Sequence, residues 1–183
     1  MHKSAGFTLL ELITVLLLVG ILAAVALPRL PVGGQFEQRL QADSLMGLLR
    51  LAQLRAMNDP EAALKGGDLQ RCSRVIITAT GFSLTQNCDL SLTLLADTVL
   101  EEHAGQGLFL GAGNLDIEAS KALPLILQFG SPAAGSDFLS EDSRLGRPFI
   151  ILAGNPVLLT EPLDIILGGK TVRVETEGYI HAP

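Results

Sequence analysis

The sequence predicts an α+β fold, with a long N-terminal apolar helix laid on an antiparallel β-sheet. Three observations carry this. Residues 7–27 form an apolar run with a single charge, Glu11. Residues 35–58 place apolar side chains at helical spacing. Beyond Gly66-Gly67 the pattern changes to short β-branched and apolar runs separated by turn residues. At 183 residues the length suits one domain plus an appendage rather than two full domains. Charged residues make up 17% of the chain, against roughly 25% in average soluble domains. That depletion, with 48% hydrophobic residues, excludes a disordered tail. A net charge of −6 and a pI near 5.0 argue against binding nucleic acid by bulk electrostatics.

The N-terminal run accounts for much of the mean hydropathy of +0.42. From Phe7 to Leu27 it reads FTLLELITVLLLVGILAAVAL. As a helix it reaches ~30 Å, enough to cross a bilayer core. Six residues precede it, MHKSAG, with Lys3 and His2 as the basic groups. Lys3 on a short flank favours a cytoplasmic N-terminus, with the rest of the chain outside. Pro28, Pro31 and Gly33-Gly34 then interrupt the apolar run. Proline kinks or breaks a helix and Gly-Gly loosens it, so residues alone permit a true break.

In the second helix Leu45, Leu48, Leu49, Ala52 and Ala56 form one stripe. Phe36, Leu40, Leu51 and Leu54 form another row, with Arg39, Asp43 and Arg50 between the rows. One row packs on the domain's own sheet. The other either packs on neighbouring subunits or widens the core-facing stripe, leaving some leucine exposed. Asn58-Asp59-Pro60 ends the helix. Strands are expected at 75–79 and 82–86 around a Thr80-Gly81 turn, and at 163–167 and 170–174 around Gly168-Gly169. Residues 125–129 and 149–152 are further strand-length runs, and 92–95 is a weaker one. The Gly-rich stretch 104–113 and residues 130–143 read as loops.

The leader is not that of an ordinary secretory signal, because its small residue, Gly6, stands before the apolar run instead of after it. A plain signal anchor leaves Glu11 unexplained, since a carboxylate in an apolar span is costly and usually has a partner. Gly6-Phe7-Thr8-Leu9-Leu10-Glu11 followed by an apolar helix resembles the class III signal of type IV pilins and type II secretion pseudopilins. The resemblance implies a pilin fold. It also implies cleavage between Gly6 and Phe7 by a prepilin peptidase/N-methyltransferase, followed by N-methylation of Phe7. Glu11 becomes the fifth mature residue. Pro28 corresponds to a helix proline common in the family, which suggests one long helix with a softened middle. The implied divisions are leader 1–6, membrane and filament-core helix 7–27, amphipathic continuation 28–58, and periplasmic β-rich domain 59–183.

Cleavage frees an ammonium on Phe7, four residues from Glu11. Pairing Glu11 with the Phe7 ammonium of a neighbouring subunit neutralises both charges and fixes axial register, the best-attested use of a buried ion pair. The alternative is a Glu11 that snorkels or pairs within its own chain. Cys72 and Cys88 lie outside the first hairpin's strands, one residue from direct opposition; a bulge or longer loop aligns them. In an oxidising compartment a disulfide is expected, worth ~3 kcal/mol for a loop of about 15 residues. Two free thiols or an intermolecular bridge are the other possibilities.

No enzyme is expected. His103 and His181 lack histidine partners at helical spacing. Glu101-Glu102 reads as a solvated pair, and Asp137, Glu141 and Asp142 lack EF-hand spacing. Gly105, Gly107, Gly111 and Gly113 miss the dinucleotide spacing. No metal or cofactor is expected.

Residues 51–58, LAQLRAMN, resemble the helix end of minor pilins and of the small minor pseudopilin. The tail VRVETEGYIHAP, with the Cys72–Cys88 hairpin, resembles minor prepilins of the mannose-sensitive haemagglutinin pilus, although a C-terminal Cys pair found in some relatives is missing. The implied function is a minor type IV pilin, a structural filament subunit in pilus assembly and initiation. A type II secretion minor pseudopilin is the alternative. A DNA-uptake minor pilin wants a basic stripe, and only Lys170 and Arg173 stand near the tail, beside Glu175 and Glu177. Implied partners are other pilin subunits, the prepilin peptidase, the inner-membrane assembly platform and the inner membrane; no nucleic acid is expected.

Overall fold

A computed structural model describes residues 9–26, 34–59, 68–104, 110–130 and 146–183. Helix α1 spans Leu9–Ala26 and helix α2 spans Gly34–Asn58. The leader 1–6, Gly6, Phe7, the interruption from Pro28 to Gly33, Gly66-Gly67, Gly105, Gly107, Asp137, Glu141 and Asp142 lie outside the described residues. So does the side chain of Phe36. The chain divides into two compact units, Met1–Phe36 and Glu37–Pro183.

In the first unit, α1 consists of apolar residues apart from Glu11, Thr14 and its glycine. Every side chain from Leu9 to Leu22 is exposed. The Thr14 hydroxyl turns back to the helix carbonyls of Leu10 and Glu11, at 3.1 and 2.9 Å, which hides its polarity. Among the described residues no helix is long and apolar enough to cross a membrane. The apolar run 7–27 continues past the described residues at both ends.

The second unit packs α2 against strands. These are β1 (Arg74–Thr78), β2 (Gly81–Leu84), β3 (Gly111–Gly113), β4 (Ile117–Ala119), β5 (Leu125–Phe129), β6 (Pro148–Leu152), β7 (Asn155–Leu158), β8 (Leu163–Leu167), β9 (Lys170–Val174) and β10 (Ile180–His181). A short helix α3 (Asp97–Ala104) precedes β3. One sheet runs β3-β2-β1-β5-β6-β7 and the other β10-β9-β8-β4, with all pairs antiparallel. The architecture is α+β, consistent with the pilin fold.

The buried stripe Leu45, Leu48, Leu49, Ala52 and Ala56 of α2 joins one core with Val75, Ile77, Leu127, Phe129, Ile165 and Val174. Strand β8 alternates as its sequence demands, with Leu163, Ile165 and Leu167 buried and Asp164 and Ile166 half-buried. Strands β1 and β5 are buried on both faces, so alternation gives way to nearly continuous apolar runs. The β7 edge is blunted. Pro156 in β7, opposite Ile151, has no N–H to offer a further strand.

The first turn is Ala79-Thr80, one residue earlier than the hairpin signal suggests, because Thr78 pairs with Gly81. Gly81 belongs in the strand since a Cβ there would collide with the Ala112 carbonyl of β3. The Thr78 hydroxyl holds the turn, accepting the Thr80 N–H at 3.2 Å and donating to the Gly81 carbonyl at 3.1 Å. The other departures have similar causes. Residues 92–95 form no strand, and Leu95 is instead pinned by its N–H to the Ser83 hydroxyl, 3.0 Å away. Residues 111–113, expected in a loop, form edge strand β3, because the bare glycine backbone fits against β2. Helix α3 and strands β4, β7 and β10 are too short for periodicity to reveal.

The β6–β7 turn places Ala153 at φ 49° and Gly154 at φ 81°, the left-handed pair of a type I′ turn. Alanine is strained there and asparagine is not. Ala153→Asn is expected to stabilise the protein by about 0.5–1 kcal/mol. A thermal melt in which the variant unfolds at or below the wild-type temperature contradicts this.

Candidate assembly site

Three features of the chain carry chemistry, two of them on its surface and one buried. The first is α1 itself. A helix apolar all round has no solvent-facing side and is covered in its working environment by lipid or protein. Glu11 lies in its first turn, among exposed leucines.

The second is the outer face of α2. The inner stripe is buried, and the predicted second row divides. Leu40 and Leu54 are 52% and 56% exposed, whereas Leu51 is half-buried. Arg39, Asp43 and Arg50 are exposed between the rows, as expected. The far end of this face meets the tail. Arg50 donates to the Ile180 carbonyl at 2.8 Å, and Gln53 donates to the carbonyls of Gly146 and Gly178 at 3.1 and 2.9 Å. Gly178 has φ 93° and a Cβ there would overlap the Gln53 amide, so glycine is what lets the tail approach the helix. Tyr179 stays 66% exposed and stacks on His181, ring centroids 4.9 Å apart. Together Leu54, Met57 and Tyr179 leave an apolar surface beside Arg50.

The third is a clamp on the first hairpin. Cys72 and Cys88 form a disulfide with Cα atoms 5.3 Å apart. The ladder register alone leaves them misaligned by one residue. The 3₁₀ turn Gln86–Cys88, with Asn87 and Cys88 at φ 52° and 53°, supplies the correction. Arg74, 8% exposed, lies beneath it. Its Nε donates to Gln128 Oε1 at 2.8 Å and its Nη1 to the Cys88 carbonyl at 2.7 Å. Burial lowers the Arg74 guanidinium below its ordinary range, and Asp89 partly offsets this. At the end of α2, Arg55 donates to the carbonyls of Leu69 and Cys72, at 2.8 and 3.2 Å. Burial lowers its pKa too, against the pull of Asp68. Sequence reading missed Arg74 and Gln128. Their signal was a charged and an amide residue placed opposite each other inside apolar strand runs, and it emerges only once the register is known.

Of the other residues singled out, Arg173 is bound to Asp164 directly across β8–β9, at 2.6 and 2.8 Å. His181 Nε2 lies 3.2 Å from Glu175 Oε1. His103 Nδ1 meets the Val99 carbonyl at 2.9 Å within α3. Glu101 and Glu102 are exposed. Among the described residues no group of three His, Cys, Asp or Glu side chains could hold a metal ion.

The Asp164–Arg173 pair gives a pH signature. The Arg173 hydrogen bonds, then the charges of Arg173 and His181, hold the Asp164 carboxyl below its ordinary range. A depressed carboxyl stabilises the fold at neutral pH. That contribution fades as pH falls below the unfolded value of about 3.9 and through the depressed one. Urea midpoints of wild type and Asp164→Asn are therefore expected to differ by a constant amount from about pH 5 to 7 and to converge toward about pH 2. A gap that persists undiminished in acid is the contrary result.

Residues 1–27 match the prokaryotic N-terminal methylation motif. No curated protein matches the chain, and no solved structure does. The motif, a class III signal, lies on the segment that carries Gly6, Phe7 and Glu11, and it supports a type IV pilin-like chain, pilin or pseudopilin.

Proposed function

We propose that this protein is a minor type IV pilin, a structural filament subunit that takes part in assembling and initiating a pilus. The observation that carries the reading is the methylation motif at residues 1–27 on a helix whose described side chains are exposed around its circumference and, apart from Glu11 and Thr14, apolar. Such a helix suits a bilayer before assembly and a filament core afterwards. In this reading the chain is cleaved between Gly6 and Phe7 and methylated on Phe7. It waits in the inner membrane with residues 37–183 in the periplasm. Pro28 softens the helix where it leaves the bilayer. The disulfide accords with that oxidising side.

The test is deletion of the gene with complementation, scoring surface pili and exoprotein secretion in parallel. Loss of pili with normal secretion is the expected result. The reverse result assigns the chain to a type II secretion pseudopilus, the reading to which residues 51–58 also point. A mature N-terminus other than methylated Phe7, found by mass spectrometry, overturns both.

A further inference from the structure

We propose that the exposed face of α2 docks on the same face of a second copy of this chain, antiparallel and two-fold symmetric about Gly47. Nothing in this pairing depends on residues 1–27. At about 100° per residue, Asp43, Gly47 and Leu54 fall within about 40° of one another on the side of the helix away from the buried stripe. Arg50 extends that face on the Asp43 flank, and Leu40 extends it on the other. All five residues are exposed.

Gly47 stands inside a 25-residue helix, where glycine is less favourable than alanine. A Cβ at this position would meet nothing within 4 Å, so the chain's own packing does not ask for glycine there. A glycine at the centre of an exposed face suits the close approach of another backbone. The residues around it are self-complementary. Leu40 lies seven positions before Gly47 and Leu54 seven after; Asp43 lies four before and Arg50 three after. A second copy turned end for end about Gly47 therefore sets its Leu40 against Leu54 and its Asp43 against Arg50, and the same contacts recur in reverse. The contact is isologous and closes with two copies.

Charge also chooses the direction. Asp43 and Arg50 share one flank, and like flanks meet in an antiparallel pair. In a parallel pair that flank meets the one carrying Leu40, and the charges find no partner. Both groups are available. Arg39 and Lys170 line a cleft beside Asp43, yet among the described residues neither forms an ion pair with it. Arg50 uses one N–H on the Ile180 carbonyl, and a guanidinium carries five. Filament subunits related by a screw axis share one polarity, so the two-fold pair belongs to the unassembled chain.

The experiment uses the full chain in detergent micelles at low ionic strength, carrying Gly47→Cys. Cys72 and Cys88 are bonded to each other, so position 47 presents the free thiol. Copper-catalysed oxidation is expected to give a disulfide-linked dimer on a non-reducing gel, in a yield several-fold lower at high salt. Asp43→Lys and Arg50→Glu, each added to Gly47→Cys, are expected to lower the yield several-fold alone. Mixing the two variant chains should restore it, because opposite charges then meet at both positions; restoration also shows that both variants fold. Leu40→Cys and Leu54→Cys are expected to cross-link when mixed and not singly. No dimer from Gly47→Cys, or a yield that Asp43→Lys leaves unchanged, overturns the proposal. Leu40→Cys cross-linking to itself assigns a parallel contact and overturns the two-fold one.

Discussion

Replacing Cys72 and Cys88 together with alanine is expected to lower the unfolding free energy of the globular unit by about 3 kcal/mol, the loop-closure value for a disulfide of this span. The two sulfurs close a loop of sequence separation 16. Both cysteines are buried, and alanine leaves no polar atom behind in their place. The effect should not stop at the bond. Arg74 is held on one side by Gln128 and on the other by the Cys88 carbonyl, and that carbonyl is positioned by the left-handed turn the disulfide secures. Arg74→Met alone is expected to cost about 2–3 kcal/mol through its charge-assisted hydrogen bonds. In the cysteine-free protein the same substitution should cost less, because Cys88 is no longer held in place. Urea unfolding followed by far-ultraviolet circular dichroism measures all four proteins of the cycle. Additive losses, or an unchanged midpoint on removing the cysteines, contradict the coupled clamp.

Glu11→Val is expected to leave cleavage and methylation of Phe7 unchanged and to reduce incorporation into sheared filaments by two orders of magnitude or more. The magnitude is that of the proposed pairing of Glu11 with the Phe7 ammonium of a neighbouring subunit, since breaking one partner of a buried ion pair costs about 3–5 kcal/mol. Membrane insertion should improve if anything, because a carboxylate within an apolar span is unfavourable even near its end. Loss of assembly with retained processing and retained membrane fraction therefore separates a role in subunit pairing from a role in anchoring. Filaments that incorporate the variant normally refute the pairing. Glu11→Asp, which keeps the charge on a shorter stem, should recover part of the lost incorporation.

The parts of the fold that sequence patterning reveals are those with enough residues to show a period. Leu45, Leu48, Leu49, Ala52 and Ala56 announced the buried face of α2, and all five are buried. The hairpin around Gly168-Gly169 reads directly from its turn, and its strands pair as expected. Shorter elements escaped because two or three residues cannot establish a period, as with β3, β4 and β10. The first hairpin slipped by one residue because glycine at position 81 signals a turn locally, while the close approach of Ala112 decides its place in the strand. The clamp was half legible. Two cysteines predicted a disulfide, but the buried Arg74–Gln128 pair depends on a strand register between segments 54 residues apart.

The exposed tail of the molecule has a practical consequence. Tyr179 is the chain's single tyrosine, and there is no tryptophan. It is 66% exposed beside Leu54 and stacked on His181. Its fluorescence, excited to the red of the phenylalanine band, therefore reports on one small surface. Any partner that settles on this end of α2 will register there, without a label being introduced.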